Sequence, residues 1–120
     1  MIKLFAPQSY KNASDGEIEL ICNGCGSAQA KFDFIPDTVW GLSITPACNV
    51  HDWMYYVGLT QLDKEEADMV FLNNMLRLIE GQTSFIGKRL KPLRRRRVLK
   101  YYEAVVAFGG PAYWNPKNES

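Results

Sequence analysis

Apolar side chains recur at helical intervals in three stretches of the chain, and the residues around them mark where each helix starts and stops. In "TPACNVHDWMYYVG", residues 45 to 58, Thr45 is placed to cap a helix and Pro46 to occupy its first turn, where a missing N–H costs little. A helix is predicted from there to about Val57, ended by Gly58. Ala67, Val70, Phe71, Met75, Leu78 and Ile79 form a second stripe, opened by Asp63 and Glu66 at capping-box spacing, which predicts a helix reaching about Glu80. A third helix is predicted from about Leu93 to Phe108, with Val98, Tyr101, Tyr102, Val105 and Phe108 facing inward and "GGP" ending it. Ser14 and Glu17 have the same capping-box spacing, and Ile18 and Ile21 give the short helix they open an apolar face, stopped by "CNGCGS". Between Gly26 and Ser43, Pro36, Gly41 and isolated aromatics show no period, so an irregular loop is expected, with room for one short strand pairing. A loop of that length is commonly functional or disordered.

The expected fold class is therefore mainly α, with the helices around His51 and Asp68 as antiparallel neighbours because the join between them is short. At 120 residues and 47% hydrophobic composition, residues 1–120 are expected to form one domain with a real core. The formal net charge of +1 gives no argument for a polyanion partner, and no clear nucleic-acid signal is present. Neither a signal-peptide pattern nor an apolar run of about 18 residues occurs, so a soluble chain without an export signal is expected. Three cysteines, Cys22, Cys25 and Cys48, allow at most one internal bridge.

The chemistry centres on His51, the single histidine. On a helix, His51 shares a face with Tyr55 one turn later, while Asp52 points about 100° away. An imidazole works best as a base when a carboxylate holds one of its nitrogens, and the adjacent Asp52 is badly placed for that. Asp68 on the facing helix is better placed, lying among Ala67, Met69, Val70 and Phe71, where a buried charge needs partners. Tyr55 is positioned to donate to it. Asp52 is then available as a hard oxygen ligand for Ca²⁺, which takes six to eight oxygens, many from carbonyls and water. "CNGCG" offers Asn23, Gly24 and Gly26 for such a turn. A structural, hydrogen-bonded histidine is the competing reading, and zinc would lack a fourth ligand beyond Cys22, Cys25 and His51.

Taken together, "PDTVWG", "ACNVHDWMYY", "EEADMVFLNNM" and "KYYEAVVAFGG" resemble the phospholipase A2 superfamily, most closely its small bacterial and fungal branch, over roughly residues 20 to 110. That branch has an A-C-x-x-H-D-x-x-Y helix after a P-D-x-x-[FW]-G segment. The resemblance implies a phospholipase A2-like fold with an irregular metal-binding loop and Ca²⁺-dependent hydrolysis of the sn-2 ester of glycerophospholipids. It makes His51 the general base, Asp68 its orienting carboxylate, Tyr55 a partner of Asp68 and Asp52 the side-chain ligand of Ca²⁺. The remaining ligands fall around Asn23 and Gly24, with Asp33 or Asp37 as alternatives, and Cys25 and Cys48 match a bridged pair. Ala47 and Met54 stand where the animal secreted enzymes carry further cysteines, and their glycine-rich calcium loop is not reproduced. The partner implied is a phospholipid membrane surface or a lipid substrate. The alternative is a non-catalytic lipid- or protein-binding module of the same fold, in a phage or secretion-associated assembly.

Eight of the fourteen Lys and Arg residues lie between Lys88 and Lys100, and "RRRR" at 94 to 97 must spread around a helix axis. A solvated helix start competes with a contact to anionic lipid or nucleic acid. Trp40, Trp53 and Trp114 are read as packing residues, with Trp53 also placed to line an acyl-chain channel. Cys22 is read as a buried small hydrophobe.

Overall fold

The structure is a computed structural model that describes residues 3–22 and 35–118. Helix dominates: α1 (Gln8–Asn12) and α2 (Asp15–Ile21) precede a hairpin of β1 (Thr38–Val39) and β2 (Leu42–Ser43). Then follow α3 (Thr45–Val57), α4 (Gln61–Glu80), α5 (Phe85–Phe108) and α6 (Gly110–Asn118). The core sits where α4 packs between α3 and α5, around Ala47, Val50, Phe71, Met75, Ile79, Val98 and Val105. Among the described residues, no helix is long and apolar enough to cross a membrane.

The capping box of α2 forms as its spacing predicts: Ser14 Oγ accepts from Glu17 N and Glu17 Oε1 accepts from Ser14 N. At α3 the predicted cap moves by one residue. Thr45 lies inside the helix, and the cap position is Ile44, fully buried, with its N–H donating to Asp37 O at 2.8 Å. A buried anchor on the hairpin thus fixes the helix start in place of a hydroxyl cap. At α4 the box is not Asp63 with Glu66 but Thr60 with Asp63: Thr60 Oγ1 accepts from Asp63 N, and Asp63 Oδ2 accepts from Thr60 N and Leu59 N. The aspartate serves at a position where glutamate is commoner, and a Glu-centred spacing search passes over it.

The third predicted helix starts too late and ends the chain's helical structure too early. α5 begins at Phe85, capped by Ser84 Oγ accepting from Gly87 N at 3.0 Å, and runs through Pro92. A proline inside a helix removes one backbone hydrogen bond. Two contacts just before it hold the upstream turns: Arg89 lies over the Phe85 ring and Lys91 reaches Glu80 on α4. Gly87 is required here, because a Cβ would stand 2.9 Å from both Gln82 Cβ and Ser84 Oγ. At the far end Phe108 is 69% exposed rather than inward-facing. Gly109 caps α5, and Gly110 opens α6, which brings the fully buried Tyr113 back against Tyr55.

In the hairpin, Val39 pairs with Leu42, so Trp40 and Gly41 form a two-residue turn with φ of 47° and 79°. Both central residues of such a turn need positive φ, which suits Asn-Gly and which a bulky residue rarely adopts.

Candidate active site

α3 carries His51 and Tyr55 on the face it turns to α4, and α4 carries Lys64 and Asp68 on the face it returns. The sharp turn between the helices depends on Gly58, where an added Cβ would meet the Tyr113 hydroxyl at 2.7 Å and Met54 O at 2.9 Å. This close join sets the register that brings His51 opposite Asp68. The His51 Nε2 to Asp68 Oδ1 distance is 2.8 Å, and the Tyr55 hydroxyl donates to the same oxygen at 2.7 Å. Asp52 lies on the neighbouring face of α3 and does not join this cluster. The partners of Asp68 among the described residues are His51, Tyr55 and Lys64, and Asp52 is not one of them.

Lys64 completes the group. Its Nζ donates to Asp68 Oδ2 at 2.8 Å and to Val105 O at 3.3 Å, and the residue is only 4% exposed. The sequence reading missed it, since a lysine four residues before an aspartate on a helix ordinarily signals a solvent-facing pair. The available signal was its place on the apolar stripe, one turn before Ala67 and Asp68. The outcome is a carboxylate whose two oxygens are held by three different donors, one of them the Lys64 Nζ.

Electrostatics follow from burial and from this set of partners. Burial holds the His51 imidazole below its ordinary value; Asp68 opposes that shift, and the Lys64 charge adds to it. The ring is thus kept neutral, the form a general base requires. For Asp68, burial alone would raise the carboxyl, but the hydrogen bonds from His51, Lys64 and Tyr55 outweigh it and hold the group below its ordinary value. Burial and the negative charge of Asp68 push the Tyr55 phenol far up, so it remains a donor at any working pH. The imidazole is clamped between the Tyr55 and Phe71 rings, with centroids at 4.2 and 4.6 Å. The end of α3 is fixed in turn by α6, where Lys117 Nζ donates to Tyr55 O at 2.6 Å and to Tyr113 O at 2.9 Å.

Cys22 is buried and free, its thiol 3.1 Å from Asn49 O on α3; burial, and behind it the Asp52 charge, push that thiol up to about 12. Cys48 is disulfide-bonded. Asn23, Gly24, Cys25, Gly26 and Asp33 lie outside the described residues, so the expected loop ligands and the Cys25 half of the expected bridge do too. Asp37 is exposed at the base of the hairpin. Among the described residues, no group of three or more His, Cys, Asp or Glu side chains is arranged to hold a metal ion. Asp52 lies near enough to Cys22, the residue immediately before Asn23, for its charge to act on that thiol.

Among the described residues Trp53 is packed as a core side chain. It is 5% exposed, donates its indole N–H to Ser9 Oγ at 3.0 Å and meets Tyr10 edge-on. Comparison of the chain with protein-family models, with curated proteins and with solved structures finds no match in any of the three.

Proposed function

We propose that this protein is a general-base ester hydrolase of the phospholipase A2 type, built on a phospholipase A2-like fold and acting on the sn-2 ester of glycerophospholipids. The observation that carries the reading is the 2.8 Å contact between His51 Nε2 and Asp68 Oδ1, on an aspartate also held by Tyr55 and Lys64. A carboxylate fixed in this way sets the imidazole tautomer, with Nε2 protonated toward Asp68 and Nδ1 as the basic nitrogen. In the reaction, Nδ1 takes a proton from water as the water oxygen attacks the ester carbonyl carbon. The tetrahedral intermediate then collapses, the bond to the glycerol oxygen breaks, and His51 returns the proton to that leaving oxygen. Asp68 stabilises the imidazolium between the two steps, and Tyr55 and Lys64 keep Asp68 ionised. No covalent enzyme intermediate forms.

Calcium enters through Asp52 and the residues that follow Cys22; bound there, it would supply positive charge for the carbonyl oxygen and the phosphate. A single described carboxylate falls short of the oxygen count that Ca²⁺ takes, so the steps assigned to the chain's own residues are those above. Burial of His51, 1% exposed, favours a second reading, in which the same four residues are a structural charge cluster in a lipid- or protein-binding module.

Vesicles of phosphatidylcholine labelled separately in each acyl chain distinguish the two. Release of the sn-2 chain alone, dependent on added Ca²⁺ and lost in chelator and in Asp52→Asn, is expected. No release under any calcium concentration, from a folded protein, would leave the binding module.

A further inference from the structure

Six of the eight basic residues in the run of α5 fall into three sets with different surroundings. Arg94 is buried and spends its guanidinium on the hairpin, with Nε donating to Val39 O at 3.3 Å and Nη2 to Trp40 O at 2.8 Å. Lys91 and Arg95 pair with Glu80 on α4. Arg96, Arg97 and Lys100 form no ion pair among the described residues, and with Leu93 and Trp40 they line a cavity of about 310 Å³.

Trp40 is half exposed at the tip of the hairpin, in a positive-φ turn that an aromatic side chain does not favour. The helix that supplies the cations also fixes the backbone that presents this ring, through Arg94. Along α5, positions 85, 89, 93, 96, 97 and 100 recur three and four apart and so share a face. On it, exposed Phe85 and Leu93 interleave with Arg89 and the three cations of the cavity.

Exposed apolar side chains among cations, beside a tryptophan, match the two layers of a bilayer surface: indole and aliphatic groups at headgroup depth, guanidinium and ammonium groups on phosphates. We propose that this face, centred on Trp40, Leu93, Arg96, Arg97 and Lys100, docks onto anionic phospholipid bilayers. A nucleic-acid strand fits less well, because strand binding uses successive aromatic platforms and one ring lines this cavity. The proposal goes beyond the hydrolysis reading and is tested by binding without turnover.

The experiment is co-sedimentation of the full chain with vesicles of phosphatidylcholine alone and of phosphatidylcholine mixed with phosphatidylglycerol. With chelator present to prevent turnover, binding is expected to be clearly tighter to the mixed vesicles than to phosphatidylcholine alone, the difference shrinking as salt is raised. Arg96→Gln with Arg97→Gln should weaken it roughly thirtyfold, given the contribution of each well-placed cation. Lys91→Gln with Arg95→Gln removes the same charge from residues already paired with Glu80 and should leave binding close to wild type. These substitutions fall on surface or partly buried side chains, and circular dichroism checks that helix is retained. Lipid-induced blue shift of tryptophan emission should be largely lost in Trp40→Phe, since Trp53 is buried and Trp114 is packed against the core beside Tyr113. Equal loss in the two double variants, binding indifferent to phosphatidylglycerol, or tighter binding to a single-stranded oligonucleotide than to vesicles would overturn the proposal.

Discussion

At the scale of single residues, Asp68 is the hub. It is 1% exposed and receives three donors, one of them the buried Lys64 ammonium, so removing the carboxylate leaves a cation without its counter-charge. Asp68→Ala should cost about 3–5 kcal/mol of folding stability, the range for breaking a buried ion pair from one side. Lys64→Met should cost less, because Asp68 keeps its bonds from His51 and Tyr55; denaturant titration of the two variants checks the order. Acid should act on the same residues in two stages. The His51 imidazole titrates lower in the fold than its ordinary 6.5, so below 6.5 the unfolded chain takes up the proton first and stability falls as pH drops through that window. Asp68 is held below its ordinary 3.8, so its contribution, present above 3.8, is lost as pH falls further through the folded value. Denaturant midpoints measured from neutral pH downward should therefore decline from near 6.5 and steepen below 3.8. Asp68→Asn should shrink the second decline, with Asp63 and Glu80, also held below their ordinary values, accounting for what is left.

At the scale of elements, the turn between α3 and α4 matters most, because it sets which residues face each other. Gly58→Ala places a methyl group against Met54 O and the Tyr113 hydroxyl, and should destabilise the protein by about 1–3 kcal/mol. Part of that loss should be recovered in a Tyr113→Phe background, which removes one of the two clashing atoms; thermal melts of the single and double variants read it. The bodies of α3 and α4 were legible because their apolar stripes are regular, although the observed caps, Ile44 and Thr60, are not the expected ones. The first third of α5 was not, since Pro92 reads as a start or a stop and the contacts that carry the helix through it, Arg89 on Phe85 and Lys91 on Glu80, involve tertiary partners or side chains without apolar period. α6 was hidden by "GGP", whose glycines and proline end one helix and begin the next.

At the scale of the whole molecule, long-range polar contacts hold the ends of the described chain onto the central helices. Asn74, fully buried on α4, exchanges two 2.8 Å hydrogen bonds with the Phe5 backbone, and Lys117 of α6 grips the last turn of α3. Nothing in local periodicity shows such contacts, which is why Asn74 reads only as a gap in an apolar stripe. The candidate site was legible where it depends on helical geometry: His51, Tyr55 and Asp68 lie together as the facing helices predict. Lys64 was not, because only the packed structure distinguishes a buried lysine from a surface one. The loop ligands expected around Asn23 and Gly24 lie outside the described residues, and the order "CNGCGSAQAKFDFIPD" has no period from which to place them.

The central claim is that His51, oriented by Asp68, is the base that activates water. Its most direct test is the rate of fatty-acid release from calcium-supplied phospholipid vesicles by wild type and by His51→Gln, a variant whose amide can still donate to Asp68 Oδ1 and fills much of the same buried space. A fall of about 10²–10⁴-fold with the fold retained is expected. Release by His51→Gln at the wild-type rate would contradict it.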